Sequence, residues 1–498
     1  MQTADIISSG GAGLTQVRAD SAFCWSVVYM EILALEASTA SVKAMRYHTQ
    51  TGTFEVLSRE HSRSVTAAQR SADDIYALLL SLGRELAAGR QIDMISLCGT
   101  WHNILACNEA MELVTPTYFW DFTGAADLCR QLQRDAGYVQ SYYNRTGCMV
   151  SPIYQSFKIK WLLEQQPELR GAYFLSLGSY ITYRMTGQRV TTPSHMSGGG
   201  LLNTHTGRYD GDLLAELGLL EEQLCPLVAY DTTFPLSEEA AHALGLRPGI
   251  PVLPANADGA MNQVGAGALK EGVATLSIGT SGAIRLTTDR PIIPEKPGTW
   301  CYLSPKGWLS GAATNGCCSC IDWARHKLFP PGTDYARMEE GVSDPVNTPV
   351  FLPFLYGERC PGWNNQRRGG FADCLPHHNL ADLYLAVQEG VLFNLYQCYK
   401  MLTDLAGVPK EIKLSGGILH SERWLQMCAD IFGCTMTLDN TLHGSLLGAC
   451  VVAMEKLGII GDLRDFTPAP AGTVEPNPDA APLYRMKFER YLEHYNKG

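Results

Sequence analysis

The stretch Leu35-Glu-Ala-Ser-Thr-Ala-Ser-Val-Lys-Ala44 decides the fold, because it aligns without gaps on Leu276-Ser-Ile-Gly-Thr-Ser-Gly-Ala-Ile-Arg285. Each stretch has the pattern of a strand, a turn of small residues centred on a threonine, and a second strand. Two such hairpins, about 240 residues apart, indicate two related domains. We expect the boundary in the Gly-rich stretch Gly265-Ala-Gly-Ala-Leu-Lys-Glu-Gly272, which gives an N-terminal domain over 30–267 and a C-terminal domain over 268–498.

Around the hairpins, predicted strands alternate with longer helices, which is typical of α/β layers. The first clean strand begins at Glu31-Ile-Leu-Ala-Leu35, residues 72–90 have helical spacing, and Met94-Ile-Ser-Leu-Cys98 follows as a buried strand. Residues 1–29 are rich in Ser, Gly and Ala without any period. We therefore expect residues 1–29 to form a disordered extension.

Composition excludes several classes of protein. The chain has 498 residues, a formal charge of −11, 46% hydrophobic and 18% charged residues, so it has ample core and too little charge for disorder. An acidic chain without a basic run is a poor candidate for binding nucleic acid. The N-terminus lacks the basic region and apolar core of a signal peptide, so we expect none, and no apolar run is long enough to span a membrane. The 16 scattered cysteines suit a reducing cytoplasm, and we expect the cluster Cys317, Cys318 and Cys320 to pack in the core.

The turn Gly279-Thr280-Ser281-Gly282 has the composition of a phosphate-binding turn. Its backbone N–H groups and two hydroxyls are able to donate to phosphate oxygens, and its glycines permit positive φ and close approach. An ordinary hairpin turn has the same composition. The tetrapeptide alone therefore does not distinguish a phosphate-binding turn from an ordinary hairpin turn.

Asp258 stands at the end of a predicted strand, in Pro251-Val-Leu-Pro-Ala-Asn256 followed by Ala257-Asp258-Gly259, and at the start of a helix. A carboxylate there is able to take a proton from a substrate hydroxyl. The alternative is a structural N-cap of the helix over 260–267.

A third strand end, Ile412-Lys-Leu-Ser-Gly-Gly417, runs into a double glycine, and an amphipathic helix follows over 422–432. The missing side chains would let a flat base approach the backbone, while close packing is the alternative. The order of hairpin, Asp, hairpin and Gly-Gly is more informative than any one of these signals.

This order resembles that of the FGGY carbohydrate kinases over roughly residues 30–490. Lys158-Ile-Lys-Trp-Leu-Leu-Glu-Gln165 follows the second half of the family's first signature. Residues 369–389 follow most of the second signature, with Asp373 in place of a glycine and Gln388 in place of an apolar residue. The segments that resemble the gluconokinase-like branch are Ala257-Asp-Gly-Ala260, Ser277–Arg285, and Gly357–Asn364 followed by Arg368-Gly369.

The resemblance implies an α/β protein of two ribonuclease-H-like domains, the actin-like ATPase fold, with a cleft between them that closes over a sugar and MgATP. It implies that Asp258 is the catalytic base and contacts the substrate, and that Glu36 helps to bind Mg²⁺. The residues implied in nucleotide binding are Thr39, Ser41, Lys43, Gly279, Thr280, Ser281, Gly416, Gly417 and Ser421. Those implied in substrate binding besides Asp258 are Trp101, His102 and Trp120.

Four further positions depart from the family's pattern. Glu36 replaces an aspartate, and Ser38 replaces a turn glycine, which would cost about 1 kcal/mol if positive φ were needed. Phe122 and Gly124 stand where the family has Asp and Arg. Because the lost Arg is a bidentate donor suited to a sugar acid or polyol, we do not expect plain gluconate bound in the usual way.

The sequence therefore predicts a cytoplasmic, ATP- and Mg²⁺-dependent kinase of a small sugar, sugar acid or polyol, with Asp258 as general base. The alternative is a non-catalytic sugar-binding or regulatory relative, which is favoured by the departures from the family's pattern at Glu36, Ser38 and Gly124. The expected partner is a small carbohydrate, with no nucleic acid and no membrane, and a homodimer is left open.

Overall fold

The computed structural model describes residues 30–61, 69–439 and 441–497, so the prediction for residues 1–29 lies outside the described residues. The described chain divides into two compact units. The first comprises the residues up to Leu269 together with Tyr302–Lys306 and Leu442–Ala469, and the remainder forms the second. The first break falls two residues after the expected boundary at 267, but residues 442–469, expected in the C-terminal domain, pack in the first unit.

The strands are given in chain order. They are β1 (Glu31–Ala37), β2 (Ser41–His48), β3 (Phe54–Glu60), β4 (Gln69–Arg70), β5 (Met94–Gly99), β6 (Leu105–Cys107), β7 (Thr117–Tyr118), β8 (Tyr173–Leu175), β9 (Leu202–Asn203), β10 (Arg208–Tyr209), β11 (Phe234–Pro235), β12 (Pro251–Ala257), β13 (Val273–Ile278), β14 (Gly282–Thr288), β15 (Trp300–Leu303), β16 (Trp308–Thr314), β17 (Val350–Leu352), β18 (Gly370–Ala372), β19 (Glu411–Gly416), β20 (Met436–Leu438) and β21 (Gly472–Val474).

The α-helices alternate with these strands. They are α1 (Ala72–Ala87), α2 (Ala126–Leu132), α3 (Ala136–Thr146), α4 (Gln155–Gln165), α5 (Leu177–Thr186), α6 (Pro193–Ser197), α7 (Gly211–Leu217), α8 (Glu238–Leu244), α9 (Asp258–Gly265), α10 (Cys318–Leu328), α11 (Tyr335–Met338), α12 (Leu380–Ala406), α13 (Glu422–Phe432), α14 (Gly444–Lys456) and α15 (Ala481–Lys497). In the part of the chain that the structure describes, none of these helices is both long and apolar enough to cross a bilayer.

The first unit is built on a six-stranded sheet of order β11-β12-β5-β1-β2-β3. β12, β5 and β1 run parallel, and β2 returns antiparallel to β1. Strand β1 is buried along its whole length because helices cover both faces of the sheet. Leu33 and Leu35 belong to the core that includes Leu79 of α1. On the other face α14 packs on α9 and β1, with the Cys450 and Met45 sulfurs 3.8 Å apart.

The second unit contains the strand order β16-β14-β13-β19-β20-β21 of a seven-stranded sheet whose edge strand is β15. Here β13 and β14 form the second hairpin, and β19 runs parallel to β13. In the first unit β5 occupies the same place beside β1. The two hairpins that align in sequence therefore share their sheet context, and the expected α/β fold of two related sheet domains is confirmed.

Candidate active site

Three parallel strands of the first unit end side by side. Ala37 of β1 pairs with Gly99 of β5, and Gly99 pairs with Ala257 of β12. Residues that follow the carboxyl ends of neighbouring parallel strands gather at one edge of a sheet, where ligands bind in open α/β sheets. Trp101 and His102, the expected substrate residues that follow β5, and Asp258, the expected base that follows β12, therefore lie at this same edge.

Asp258 is the first residue of α9, and Ala257 is the N-cap. The interpretation of Asp258 as an N-cap is thus wrong, because the helix begins one residue earlier than that interpretation requires. One carboxylate oxygen accepts hydrogen bonds from two backbone amides, Gly259 N at 2.8 Å and Trp101 N at 3.3 Å. The carboxylate is held by main-chain donors from two different segments, which fixes its direction.

Trp101 and His102 form the turn after β5. The Trp101 ring is buried, donates through Nε1 to the Ser194 carbonyl at 2.9 Å, and lies so close to Gly259 that a Cβ there would clash. His102 adopts a left-handed conformation, φ 65°, and its Nδ1 lies within hydrogen-bond distance of the Gly198 carbonyl. A carbonyl only accepts, so this contact places a proton on Nδ1.

Glu36 is buried at the end of β1, directly opposite Lys43 of β2. Its carboxylate accepts from Lys43 Nζ at 3.3 Å and from the Ser445 hydroxyl at 2.6 Å. Ser445 belongs to the segment that returns to the first unit, and sequence reasoning missed it. Carboxylate oxygen is the ligand that Mg²⁺ prefers, and each Glu36 oxygen accepts one of these two bonds and keeps a second lone pair, so the residue fits this metal.

The first hairpin turn carries Thr39 and Ser41. Ser38 donates its hydroxyl to the Ser41 carbonyl at 2.7 Å and its amide to the same oxygen at 2.9 Å. Ser38 is not among the residues with positive φ, so the expected strain from replacing glycine is absent. Trp120, 43% exposed, donates through Nε1 to the Thr39 hydroxyl at 3.0 Å. An expected sugar residue and an expected phosphate residue thus touch.

The second hairpin turn presents Thr280 and Ser281 to solvent. Its carbonyls face the first turn of α10, since Cys318 N donates to Gly279 O at 2.8 Å and Ser319 N donates to Thr280 O at 3.2 Å. The helix therefore fixes the turn through main-chain bonds and leaves its two hydroxyls exposed for a ligand.

Positive φ plays no part in this turn, contrary to our expectation, because neither Gly279 nor Gly282 adopts it. Close packing explains Gly282 instead. A Cβ there would lie 2.5 Å from the Cys317 sulfur.

Gly416 and Gly417 lie next to this hairpin, because Gly416 pairs with Ile278 across β19 and β13. Gly416 has φ 100°, and a Cβ on it would overlap the Ile278 carbonyl oxygen. A Cβ on Gly417 would lie 2.8 Å from the Cys318 sulfur. The two segments expected to bind nucleotide are thus adjacent in the second unit.

Ser421 caps α13. Its hydroxyl accepts from Trp424 N at 3.1 Å and donates to Glu339 Oε1 at 2.7 Å. Both bonds are structural, so the role expected for Ser421 toward adenosine would have to share this hydroxyl.

Phe122 and Gly124 pack directly against each other. The Phe122 ring packs at centroid distances of 4.7 Å from Tyr118 and 5.1 Å from Trp161. Any Cβ at Gly124 would overlap that ring. The two departures from the family's pattern therefore form one packing unit, an apolar wall in the segment that follows Trp120.

Lys158 was quoted above only as part of a signature, and the structure shows it fully buried. Its ammonium donates to the carbonyls of His102 at 2.7 Å and Ile153 at 2.6 Å. Burial lowers the pKa of Lys158 to about 7. No sequence signal distinguishes a buried lysine from an exposed one, which is why this contact was missed.

Comparison with known proteins adds independent findings. The N-terminal domain of the FGGY family of carbohydrate kinases matches residues 32–265, and the C-terminal domain of that family matches residues 274–456. A gluconokinase of Bacillus licheniformis is 26% identical over 490 residues, which cover 93% of this chain and 94% of the relative. A xylulose kinase of Bacillus subtilis (strain 168) is 25% identical over 417 residues, covering 82% and 83%.

Solved structures are similar over nearly the whole length. A gluconate kinase and a ligand-bound xylulose kinase, both from Lactobacillus acidophilus, each align with a TM-score of 0.90 and 26% identity, covering 94% of this chain and 98% of theirs.

Proposed function

The chain belongs to the FGGY family of carbohydrate kinases, and on that premise we propose that it transfers the γ-phosphoryl group of ATP to a hydroxyl of a small sugar or polyol, with Asp258 as general base. The observation that carries the proposal is the Asp258 carboxylate at the end of β12, held by the amides of Gly259 and Trp101. A base held in one direction by main-chain donors suits proton transfer from a bound hydroxyl.

In the proposed reaction, Asp258 takes the proton as the acceptor oxygen forms its bond to the γ-phosphorus. The bond between that phosphorus and the bridging oxygen breaks, and ADP leaves with the electron pair. Trp101, His102 and Trp120 bind the acceptor; the ring of Trp120, which is 43% exposed, is able to face its C–H groups, and His102 contributes a polar ring. Catalysis consists of positioning and charge neutralisation.

The nucleotide is assigned to two groups of residues. Thr39, Ser41 and Lys43 offer two hydroxyls and an ammonium to phosphate oxygens in the first unit. In the second unit, the exposed turn over 279–281 supplies further donors, and the adjacent backbone of Gly416-Gly417 is assigned to the adenosine. Glu36 is the residue that would hold Mg²⁺, which when bound neutralises charge on the phosphate oxygens.

The acceptor is proposed to be uncharged at the end that lies toward residues 120–124. Phe122 and Gly124 place an aromatic ring, and no charged donor, in this segment. An apolar wall disfavours a carboxylate, which loses hydration there without gaining a partner. This supports a neutral ketose or polyol over gluconate.

The test is a coupled ATPase assay of the full chain with MgATP and a panel containing D-xylulose, D-gluconate and glycerol. The proposal expects acceptor-dependent ADP release, greatest with a neutral acceptor. Calorimetric binding of an acceptor without any turnover would instead support the non-catalytic relative.

A further inference from the structure

Two side chains of α4 hold one turn of the candidate active site. Gln155 and Lys158 lie one helical turn apart and so on the same face of α4. Gln155 Nε2 donates to the Asn103 carbonyl at 2.5 Å, and Lys158 Nζ donates to the His102 carbonyl at 2.7 Å. Consecutive carbonyls of the turn after β5 are thus bound by consecutive turns of one helix.

The two donors are fully buried, with 0% of either residue exposed. Within the described ranges, no aspartate or glutamate oxygen lies within salt-bridge distance of the Lys158 ammonium. Its two hydrogen-bond acceptors are neutral carbonyls. The amine keeps at least two N–H donors in either protonation state, so this lysine is suited to hold both carbonyls of a strained backbone.

The turn that they hold is strained and carries the site. His102 has φ 65°, a conformation that residues other than glycine rarely adopt. The same turn supplies the Trp101 amide that donates to Asp258. Tyr154, the N-cap of α4, packs its ring edge-on to His102 at a centroid distance of 5.3 Å. A displacement of α4 would therefore move the ring of His102 and the donor to Asp258 together.

We propose that Gln155 and Lys158 are positioning residues that set the geometry of the acceptor-binding turn over residues 100–103. The inference rests on the proposed function in one respect, the assignment of Trp101 and His102 to the acceptor. A purely structural role would instead lower the amount of folded enzyme without changing its affinity for the acceptor.

The test compares Lys158→Met and Gln155→Met with the wild-type chain, and Lys160→Met is the matched control. Lys160 lies on the same helix, and its ammonium is 3.3 Å from Glu216, away from the turn. Methionine matches the length of Gln155, is one atom shorter than Lys158, and removes the donors of both. Folding is checked by circular dichroism and thermal melting, and two variants guard against the failure of either one to fold.

Two measurements test whether Gln155 and Lys158 position the turn. The first is hydrogen–deuterium exchange of a peptide covering residues 100–104, measured on the full chain. The second is the split between KM for the acceptor, KM for ATP and kcat, using the panel member with the highest turnover. We expect exchange at least tenfold faster in that peptide and KM for the acceptor at least fivefold higher in both variants. KM for ATP should stay within twofold, and Lys160→Met should match the wild type.

Unchanged exchange in the 100–104 peptide of a folded variant would overturn the inference, as would an acceptor KM within twofold of wild type. If the wild-type chain phosphorylates no member of the panel, that result counts against the proposed function. The exchange measurement, which needs no acceptor, then decides the inference alone.

Discussion

The Asp258 carboxylate is held in one direction by two backbone amides, and it does not cap the helix that it begins. Because Ala257 is the N-cap, the side chain of Asp258 is free of the capping role and accepts from Gly259 and Trp101 instead. The sequence alone left both roles open, since an aspartate before a helix has the same appearance in either case.

Asp258→Asn should reduce turnover at least about 10²-fold while leaving the fold intact. Asparagine keeps the shape and one oxygen acceptor for both amides, but it cannot take a proton from a hydroxyl at neutral pH. Turnover is measured by the coupled assay and folding by thermal melting. A variant that retains more than about a tenth of wild-type turnover would contradict the assignment of the base.

Lys158 should make the stability of the protein depend on alkaline pH. Its pKa in the folded chain is about 7, against 10.5 for an ordinary lysine, because burial disfavours the charged form. Between these values the unfolded chain binds the extra proton, so the free energy of unfolding should rise with pH, by up to about 1.4 kcal/mol per unit.

The measurement is urea unfolding of the wild-type chain and Lys158→Met at pH 7, 8 and 9. Subtracting the variant removes the contributions of other titrating groups. The difference in unfolding free energy should change across this window in favour of the wild type as pH rises. Parallel pH dependences would contradict the lowered pKa.

At the scale of elements, the hairpins and the strand ends could be predicted from sequence, because a strand, a small-residue turn and a second strand leave a local pattern. Helix α13 begins and ends where its spacing predicts, at Glu422 and Phe432. Turn geometry was not predictable. Gly282 is required because the Cys317 sulfur packs against it, and Ser38 is accommodated because its hydroxyl donates to the Ser41 carbonyl. Such contacts depend on the positions of other residues in the folded chain, which composition does not give.

At Asp373 the backbone conformation agrees with the family's pattern, although the residue does not. It replaces a glycine of the family's second signature, and the structure shows the left-handed conformation, φ 56°, that such a position favours. Aspartate tolerates that conformation better than most residues. Its carboxylate also lies 3.2 Å from Arg490 Nη2 and 3.0 Å from His494 Nε2 of α15. The substitution therefore keeps the backbone and adds an anchor for the last helix.

Gly416→Ala should destabilise the protein by about 2 kcal/mol or more and raise KM for ATP. Its φ of 100° disfavours any side chain, and the Cβ would overlap the backbone oxygen of Ile278, which the sheet pairing prevents from moving. Gly433→Ala is the control, with φ 61° but open space around it, and should cost about 1 kcal/mol. Urea unfolding and ATP kinetics measure the two effects, and equal losses of stability would contradict the steric argument.

At the scale of the whole molecule, the first unit is discontinuous in sequence. Helix α14 lies in the segment Leu442–Ala469, yet it packs on α9, β1 and β5, and its residues from Ala449 to Ala453 are fully buried there. The composition of the Gly-rich stretch near residue 267 predicts a boundary there, and the first break in the structure follows Leu269. The return of α14 to the first unit was not predictable, because the sequence of an apolar helix does not specify which sheet the helix packs on.

A fragment of residues 30–269 should therefore fail to unfold cooperatively, since it exposes the face of the sheet that α14 covers. Joining residues 442–469 to its end through a flexible Gly/Ser linker should restore a cooperative transition. Urea denaturation followed by circular dichroism distinguishes the two forms. Cooperative unfolding of the short fragment would show that α14 is dispensable to this sheet.

The same discontinuity has a consequence during synthesis on the ribosome. The strands around β1 emerge early, but their covering helix emerges only after residues 270–441 have been translated. At about 5–20 residues per second, that interval lasts on the order of 10–35 s. Throughout it the nascent chain displays an uncovered apolar sheet face, the kind of surface that aggregates or recruits chaperones. Slowing or speeding codons within 270–441 should therefore change the yield of folded enzyme without changing a single amino acid.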